Sequence, residues 1–153
     1  MTNLTEDAKE NLKIVRQLTT VALIYNPVLA DLCFAQAILE SSLSKSPPSK
    51  LALEDNNLFG IKHKGLTGKF VERITHEYVH DRFITIPQKF AKNDSIEDSI
   101  SQWKMLIGIP RYKEVGECNT LEEAAHKIRE CGYATDKNYS EKLIKIYKQF
   151  IMK

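Results

Sequence analysis

Apolar and polar positions along the chain follow two different periods, and the change from one to the other separates helices from a single hairpin. From Val28 to Leu39 nearly every residue is apolar, interrupted only by Asp31 and Gln36. A run that long in Leu, Ala, Ile and Phe, with few β-branched residues, predicts a buried helix. Ahead of it, Glu6 to about Tyr25 has helix-forming composition with Thr5 placed as its N-cap. Asn26-Pro27 then breaks the pattern, and Pro27 suits the first turn of the next helix. Ser44 to Lys50, with Pro47-Pro48, reads as a loop. From Lys69 to Ile86 the period shortens to two. Val71, Arg73, Thr75, Glu77 and Val79 alternate with Phe70, Glu72, Ile74, His76 and Tyr78, and a turn at His80-Asp81 leads into a second strand ending at Pro87. This predicts a β-hairpin, the only one in the chain.

The helical period then returns. Ile96, Ile100, Trp103, Leu106 and Ile107 form one stripe after an Asn93-Asp94-Ser95 cap, which places Trp103 in the core. Thr120 and Glu123 make a capping box ahead of Leu121, Ala124, Ala125 and Ile128, with Gly132 suited to the C′ position. Leu143, Tyr147, Phe150 and Ile151 mark a last helix. No repeat, linker or low-complexity segment interrupts the pattern. The expectation is a mainly α (α+β) fold, one domain over residues 1–153, with a small β-hairpin lobe.

Composition changes this picture little. A chain of 153 residues buries a substantial core without disulfides or metals. Its 42% hydrophobic and 27% charged residues are ordinary for a soluble globular protein, and a net charge of +2 is too small to argue for nucleic acid. The three cysteines, Cys33, Cys118 and Cys131, have no metal-ligand spacing, and Cys33 reads as a small buried hydrophobe. His76, His80 and Asp81 cluster near a turn without a specific metal pattern, so no metal or other cofactor is expected. The stretch from Val21 to Tyr25 is too short to span a bilayer, and the acidic start of the chain is unlike an export signal.

Glu40 is the candidate for chemistry. It falls at the end of the apolar helix, on one face with Cys33 and Gln36. Apolar neighbours and the negative end of the helix dipole both favour its protonated form, which a general acid requires near neutral pH.

Two further segments accompany it: Asn56-Asn57-Leu58-Phe59-Gly60-Ile61-Lys62, and Gly132-Tyr133-Ala134-Thr135-Asp136 leading to Tyr139. Together with Ala35 to Ser42 they closely resemble the bacterial and phage glucosaminidases of glycoside hydrolase family 73, which cleave peptidoglycan after N-acetylglucosamine. The resemblance spans roughly Ile24 to Phe150. It departs at Ser42-Leu43-Ser44, where the family often has Gly-Trp-Gly, and at Lys137, where Pro is common. It implies a lysozyme-like fold and makes Glu40 the acid. Thr75-His76-Glu77-Tyr78 is similar to a segment of the family's β-lobe that carries a second catalytic glutamate, which favours Glu77 over Glu72. A route without a second carboxylate uses the substrate's own acetamido group, oriented by Tyr133. Asn57, Phe59 and Tyr139 are expected at the substrate, although Phe59 can also anchor the loop in the core and Asn57 can hold the loop backbone. The partner expected is the peptidoglycan glycan strand, met by a monomer with no nucleic acid and no membrane segment. Without an export signal, a phage lysin, a tail-associated protein or a non-classical export route would bring it to the wall. A muramidase, a lytic transglycosylase and a non-catalytic wall-binding module are the alternatives on the same fold.

Overall fold

Thr5 begins the first helix as expected: its hydroxyl accepts from the Ala8 amide at 3.1 Å, and α1 runs Glu6–Ala22. Asn26 caps α2, Pro27–Ser41, in the same way through Leu29, with Pro27 in the first turn where its missing N–H costs nothing. The computed structural model describes residues 3–63 and 68–152, except for the side chains of Glu77 and Tyr78. After a loop, α3 spans Lys50–Asp55. Strands β1, Phe70–Val79, and β2, Arg82–Ala91, form an antiparallel hairpin in register from Phe70 opposite Ala91 to Val79 opposite Arg82. Helix α4, Ile96–Ile107, is followed by a 3₁₀ segment, Pro110–Glu117, then α5, Leu121–Glu130, and α6, Tyr139–Ile146. A π turn, Tyr147–Ile151, extends α6.

The apolar run does form the central helix. Leu32, Cys33, Ala35, Gln36 and Ala37 of α2 have no exposed surface, and α2 packs against α1, α5 and α6. Trp103, Val115, Ile128 and Leu143 complete the core around it. Thr120 accepts from the Glu123 amide, and Gly132 takes the left-handed conformation at φ +90° just past α5. The helix–hairpin–helix layout is the one anticipated.

Two details differ. The second strand does not stop at Pro87 but continues to Ala91, with Pro87 opposite Ile74. In a two-stranded sheet both strands are edges, so a residue without an N–H fits there. Helix α3 and the 3₁₀ segment were not anticipated, because neither is long enough to show a periodic stripe.

The hairpin is fastened to the helical body at one end. Lys62 bridges to Phe90, the Ala91 amide donates to Ile61 O, and Asn57 Nδ2 donates to Ala91 O at 2.9 Å. The buried carboxylate of Asp55 accepts from Arg73 Nη2 of β1 at 2.8 Å and from Lys92 Nζ at 3.1 Å. Nearer the turn, Ile74 and Phe83 are 68% and 76% exposed.

Candidate active site

Glu40 is carried by the last turn of α2 to the point where two depressions meet. One, of about 500 Å³, is lined by Glu40, Tyr133, Thr135, Asp136, Tyr139 and Lys142. The other, of about 410 Å³, is lined by Glu40, Phe59, Gly60, Lys62, Arg111 and Tyr133 among others. Glu40 and Tyr133 belong to both, so the depressions form one cleft with these two side chains at its middle. Glu40 is exposed toward this cleft, yet its carboxyl is raised from its ordinary pKa by desolvation. The hydroxyl of Tyr139 and the charge of Lys142 oppose that rise without cancelling it.

A buried chain of hydrogen bonds holds the carboxyl. Trp103 Nε1 donates to Gln36 Oε1 at 2.7 Å, Gln36 Nε2 donates to the Tyr139 hydroxyl at 2.7 Å, and that hydroxyl donates to Glu40 Oε1 at 3.3 Å. The direction of the chain is fixed at its start. An indole N–H can only donate, so Gln36 must turn its carbonyl to Trp103 and its amide to Tyr139. Tyr139 is left with one proton, and it goes to Oε1. When Glu40 is protonated, the proton therefore resides on Oε2, the oxygen near Gly60: a Cβ on Gly60 would lie 4.0 Å from it.

The loop carrying Tyr133 is tied down from both sides. Arg111 Nε donates to Cys131 O at 2.6 Å and Arg111 Nη2 to Gly132 O at 3.1 Å. The backbone calls for glycine at 132, where φ is +90°, and a Cβ there would also displace the Arg111 guanidinium, whose Nη2 would lie 2.2 Å away. Asp136 accepts from Lys142 Nζ and from the Asn138 amide, while its carbonyl accepts from Arg129. The Tyr133 ring stacks on Tyr139 at 6.0 Å and meets Tyr112 edge-on. Desolvation first, then the nearby charge of Glu40, pushes its hydroxyl far above the ordinary tyrosine range. That hydroxyl stays protonated, and no hydrogen-bond partner is described for it.

Three residues expected at the substrate have other duties. Asn57 is 1% exposed, and its amide group holds the carbonyls of Ile61 and Ala91 and the amides of Phe59 and Ile61. It shapes the loop and the hairpin base, with no polar atom left for a sugar. Phe59 is 3% exposed and packed 6.1 Å from Trp103 at the edge of the core, where it lines the cleft. Tyr139 is 3% exposed and acts on Glu40. Glu72 is exposed opposite Lys89. Glu77 pairs with Ile84 in the hairpin, and its side chain lies outside the described residues. Gln36 and Arg111 were not singled out beforehand. Gln36 had left a trace: it is one of two polar residues in the apolar run, four before Glu40.

Comparison with known proteins fits this geometry. Residues 18–151 match the glucosaminidase family, described as mannosyl-glycoprotein endo-β-N-acetylglucosaminidase. The exo-glucosaminidase LytG of Bacillus subtilis is 34% identical over 129 residues, covering 80% of this chain and 44% of the relative. The peptidoglycan hydrolase FlgJ of Escherichia coli strain K12 is 32% identical over 121 residues, covering 77% of this chain and 39% of the relative. The chain thus spans less than half the length of these curated relatives. The glycoside hydrolase domain of FlgJ from Salmonella typhimurium superposes with a TM-score of 0.72 at 29% identity, covering 94% of this chain and 97% of that one. The catalytic domain of the autolysin Auto from Listeria monocytogenes gives 0.80 at 24% identity, with 99% and 89% covered, a likeness of fold.

Proposed function

This chain belongs to the glucosaminidase family, and from that premise we propose that it is a peptidoglycan hydrolase cutting the β-1,4 bond after N-acetylglucosamine, with Glu40 as general acid. The observation that carries this reading is the placement of Glu40 at the middle of a continuous cleft, desolvated and tied through one oxygen only. Oε1 is held by Tyr139, so Oε2 presents the proton to the glycosidic oxygen of the leaving sugar. After transfer, the Tyr139 hydroxyl and Lys142 stabilise the carboxylate left behind. A cleft that continues on both sides of the acid accommodates sugars on either side of the bond, which favours cutting within a strand. The place of action is the bacterial wall, and among the described residues no helix is long and apolar enough to cross a membrane.

For the second half of the reaction, Glu77 serves as the base that activates water, supported by its place in β1 and by the family resemblance of its segment. A second reading has an observation of its own. The Tyr133 hydroxyl stays protonated in the cleft beside Glu40 with no hydrogen-bond partner described for it, a geometry suited to orienting the substrate's acetamido group for attack at the anomeric carbon.

Product analysis tests the whole assignment. Digestion of purified peptidoglycan should release new reducing N-acetylglucosamine ends, seen by mass spectrometry after borohydride reduction. Muramic or 1,6-anhydromuramic ends would replace this reading with a muramidase or a lytic transglycosylase. Glu40→Gln, which keeps the side chain's size, should lose at least ~10²-fold in turnover. Activity within a few-fold of wild type would remove Glu40 from the mechanism.

A further inference from the structure

A third depression, of about 440 Å³, adjoins the cleft and, apart from the shared Lys142, has no part in the bond cleavage above. It shares Leu39 and Lys142 with the Glu40 cleft and is lined further by Lys45, Lys145, Ile146 and Phe150 among others. Three lysines converge on it and no acidic side chain lines it. Lys142 is paired with Asp136 across the shared wall, whereas no ion pair is described for Lys45 or Lys145. Between these cations the lining is aliphatic and aromatic, with Ser42, Ser44 and Gln149 supplying polar groups. The groove therefore matches a short chain that alternates small apolar groups with carboxylates.

We propose that this groove binds the peptide stem of the muramic acid residue next to the scissile bond. The proposal rests on the peptidoglycan reading above, and two arguments lead to it. The first is continuity. In peptidoglycan every second sugar carries a lactyl-linked peptide with free carboxylates. Cleavage after N-acetylglucosamine puts a peptide-bearing sugar directly beside the bond that breaks. A peptide site should therefore open off the cleft within about one sugar of the acid, and this groove joins the cleft at Leu39, the residue before Glu40. The second is charge. Lys45 comes from the loop after α2 and Lys145 from the last turn of α6, so two separate elements bring unpaired cations to one concavity. Lys142 belongs to both depressions. It joins the acid's electrostatic environment to the peptide site, so an occupied groove would also fix the wall that holds Asp136.

The test uses a disaccharide-tetrapeptide with free carboxylates, the same disaccharide without peptide, and full-length Glu40→Gln to prevent turnover. Titration followed by NMR should shift the backbone amides of Ser44, Lys45, Lys145 and Gln149 with the peptide-bearing ligand and not with the bare disaccharide. Lys45→Ala/Lys145→Ala should weaken the peptide-bearing ligand by about five- to tenfold, as two partly exposed charge pairs allow, and the loss should shrink in high salt. Equal affinity for the two ligands would overturn the proposal. So would unchanged binding in the double variant, or shifts produced instead by a glycerol-phosphate polymer in competition with the peptide. None of these readouts needs hydrolysis. A wild-type protein that releases no product from peptidoglycan yet binds the peptide in this way would sink the catalytic reading and leave the groove assignment standing.

Discussion

At the scale of single residues, the site depends on which oxygen of Glu40 carries the proton. The indole of Trp103 decides it at a distance, because its obligate donor orients Gln36, Gln36 orients Tyr139, and Tyr139 takes Oε1. The sign of a Tyr139→Phe substitution follows. The Tyr139 bond favours the ionised carboxyl and holds its pKa down, so its removal raises the pKa further. Activity that needs protonated Glu40 falls as pH rises through that pKa, and the alkaline limb of the pH–rate profile should move to higher pH. The carboxyl also loses its fixed orientation, so kcat should drop by about fivefold or more, one hydrogen bond's worth, with KM little changed. A limb that stays in place or moves to lower pH would contradict the relay. The raised carboxyl of Glu40 was legible in the sequence, because a carboxylate closing an apolar run is desolvated by its neighbours. The hydrogen-bond chain was only partly legible: Gln36 and Trp103 are 67 residues apart, and no local pattern signals that two core side chains are joined by a hydrogen bond.

At the scale of elements, the end of α2 carries Glu40 into the cleft, and the loop at residues 59–62, which lines the cleft, is joined to the root of the hairpin. Ser42 closes α2 at φ 54°, and a side chain in the left-handed region costs about 1 kcal/mol. Ser42→Gly should therefore raise stability by about 0.5–1 kcal/mol, less than the full relief because glycine also loosens the unfolded chain. The shift in urea midpoint measures it, and a lower midpoint would mean that the serine side chain makes a contact of its own. Asp55 anchors the root of the hairpin. Burial pushes its carboxyl up, but hydrogen bonds from Arg73 and Lys92 prevail and leave it below the usual carboxylate range. A group depressed in the folded state stabilises above its unfolded pKa of about 3.9 and ceases to do so as pH falls through the folded value. The hairpin root should thus hold at neutral pH and loosen only in acid. Asp55→Asn should cost about 2 kcal/mol at pH 7, under the range for a fully enclosed pair because Arg73 and Lys92 keep contact with water. That difference should shrink as pH falls through the folded value. A penalty that persists in acid would assign Asp55 a packing role. The hairpin's period of two was plain in the sequence, and its extent past Pro87 was not, since the pattern cannot reveal that the strand has no second neighbour.

At the scale of the whole molecule, the proposed chemistry draws on two parts, a helical body and a hairpin whose described anchors lie at one end. The helical body carries Glu40 and Tyr133 on elements packed against α2, so their relation is set by the core. The hairpin carries Glu77, and its described anchors to the body, at Asp55, Asn57, Ile61 and Lys62, all fall at the end away from the turn. The Glu77 reading requires this lobe to close over a bound strand, a motion for which a two-stranded ribbon fastened at its root is suited. Sequence reasoning placed Glu40 and Tyr133 together through family resemblance, and the fold brings them together through α2 and the α5–α6 loop. It could not place Glu77 relative to them, because a period of two gives a strand and its faces but not how the hairpin sits against the helices. Two substitutions measured side by side separate the chemistries. If Glu77 is the base of an inverting reaction, its carboxyl must come to about 6.5–9.5 Å from that of Glu40 with substrate bound. Glu77→Gln should then be crippling, azide should partly restore turnover, and Tyr133→Phe should act mainly on KM. If the acetamido group attacks instead, Tyr133→Phe removes the hydroxyl that orients it and should be the severe variant, with Glu77→Gln mild and azide without effect. Because Tyr133→Phe keeps the ring that stacks on Tyr139, a loss in kcat there would report on chemistry and not on folding. A mild Glu77→Gln beside a crippled Tyr133→Phe would remove Glu77 from the mechanism and leave the hairpin as a wall that closes the cleft.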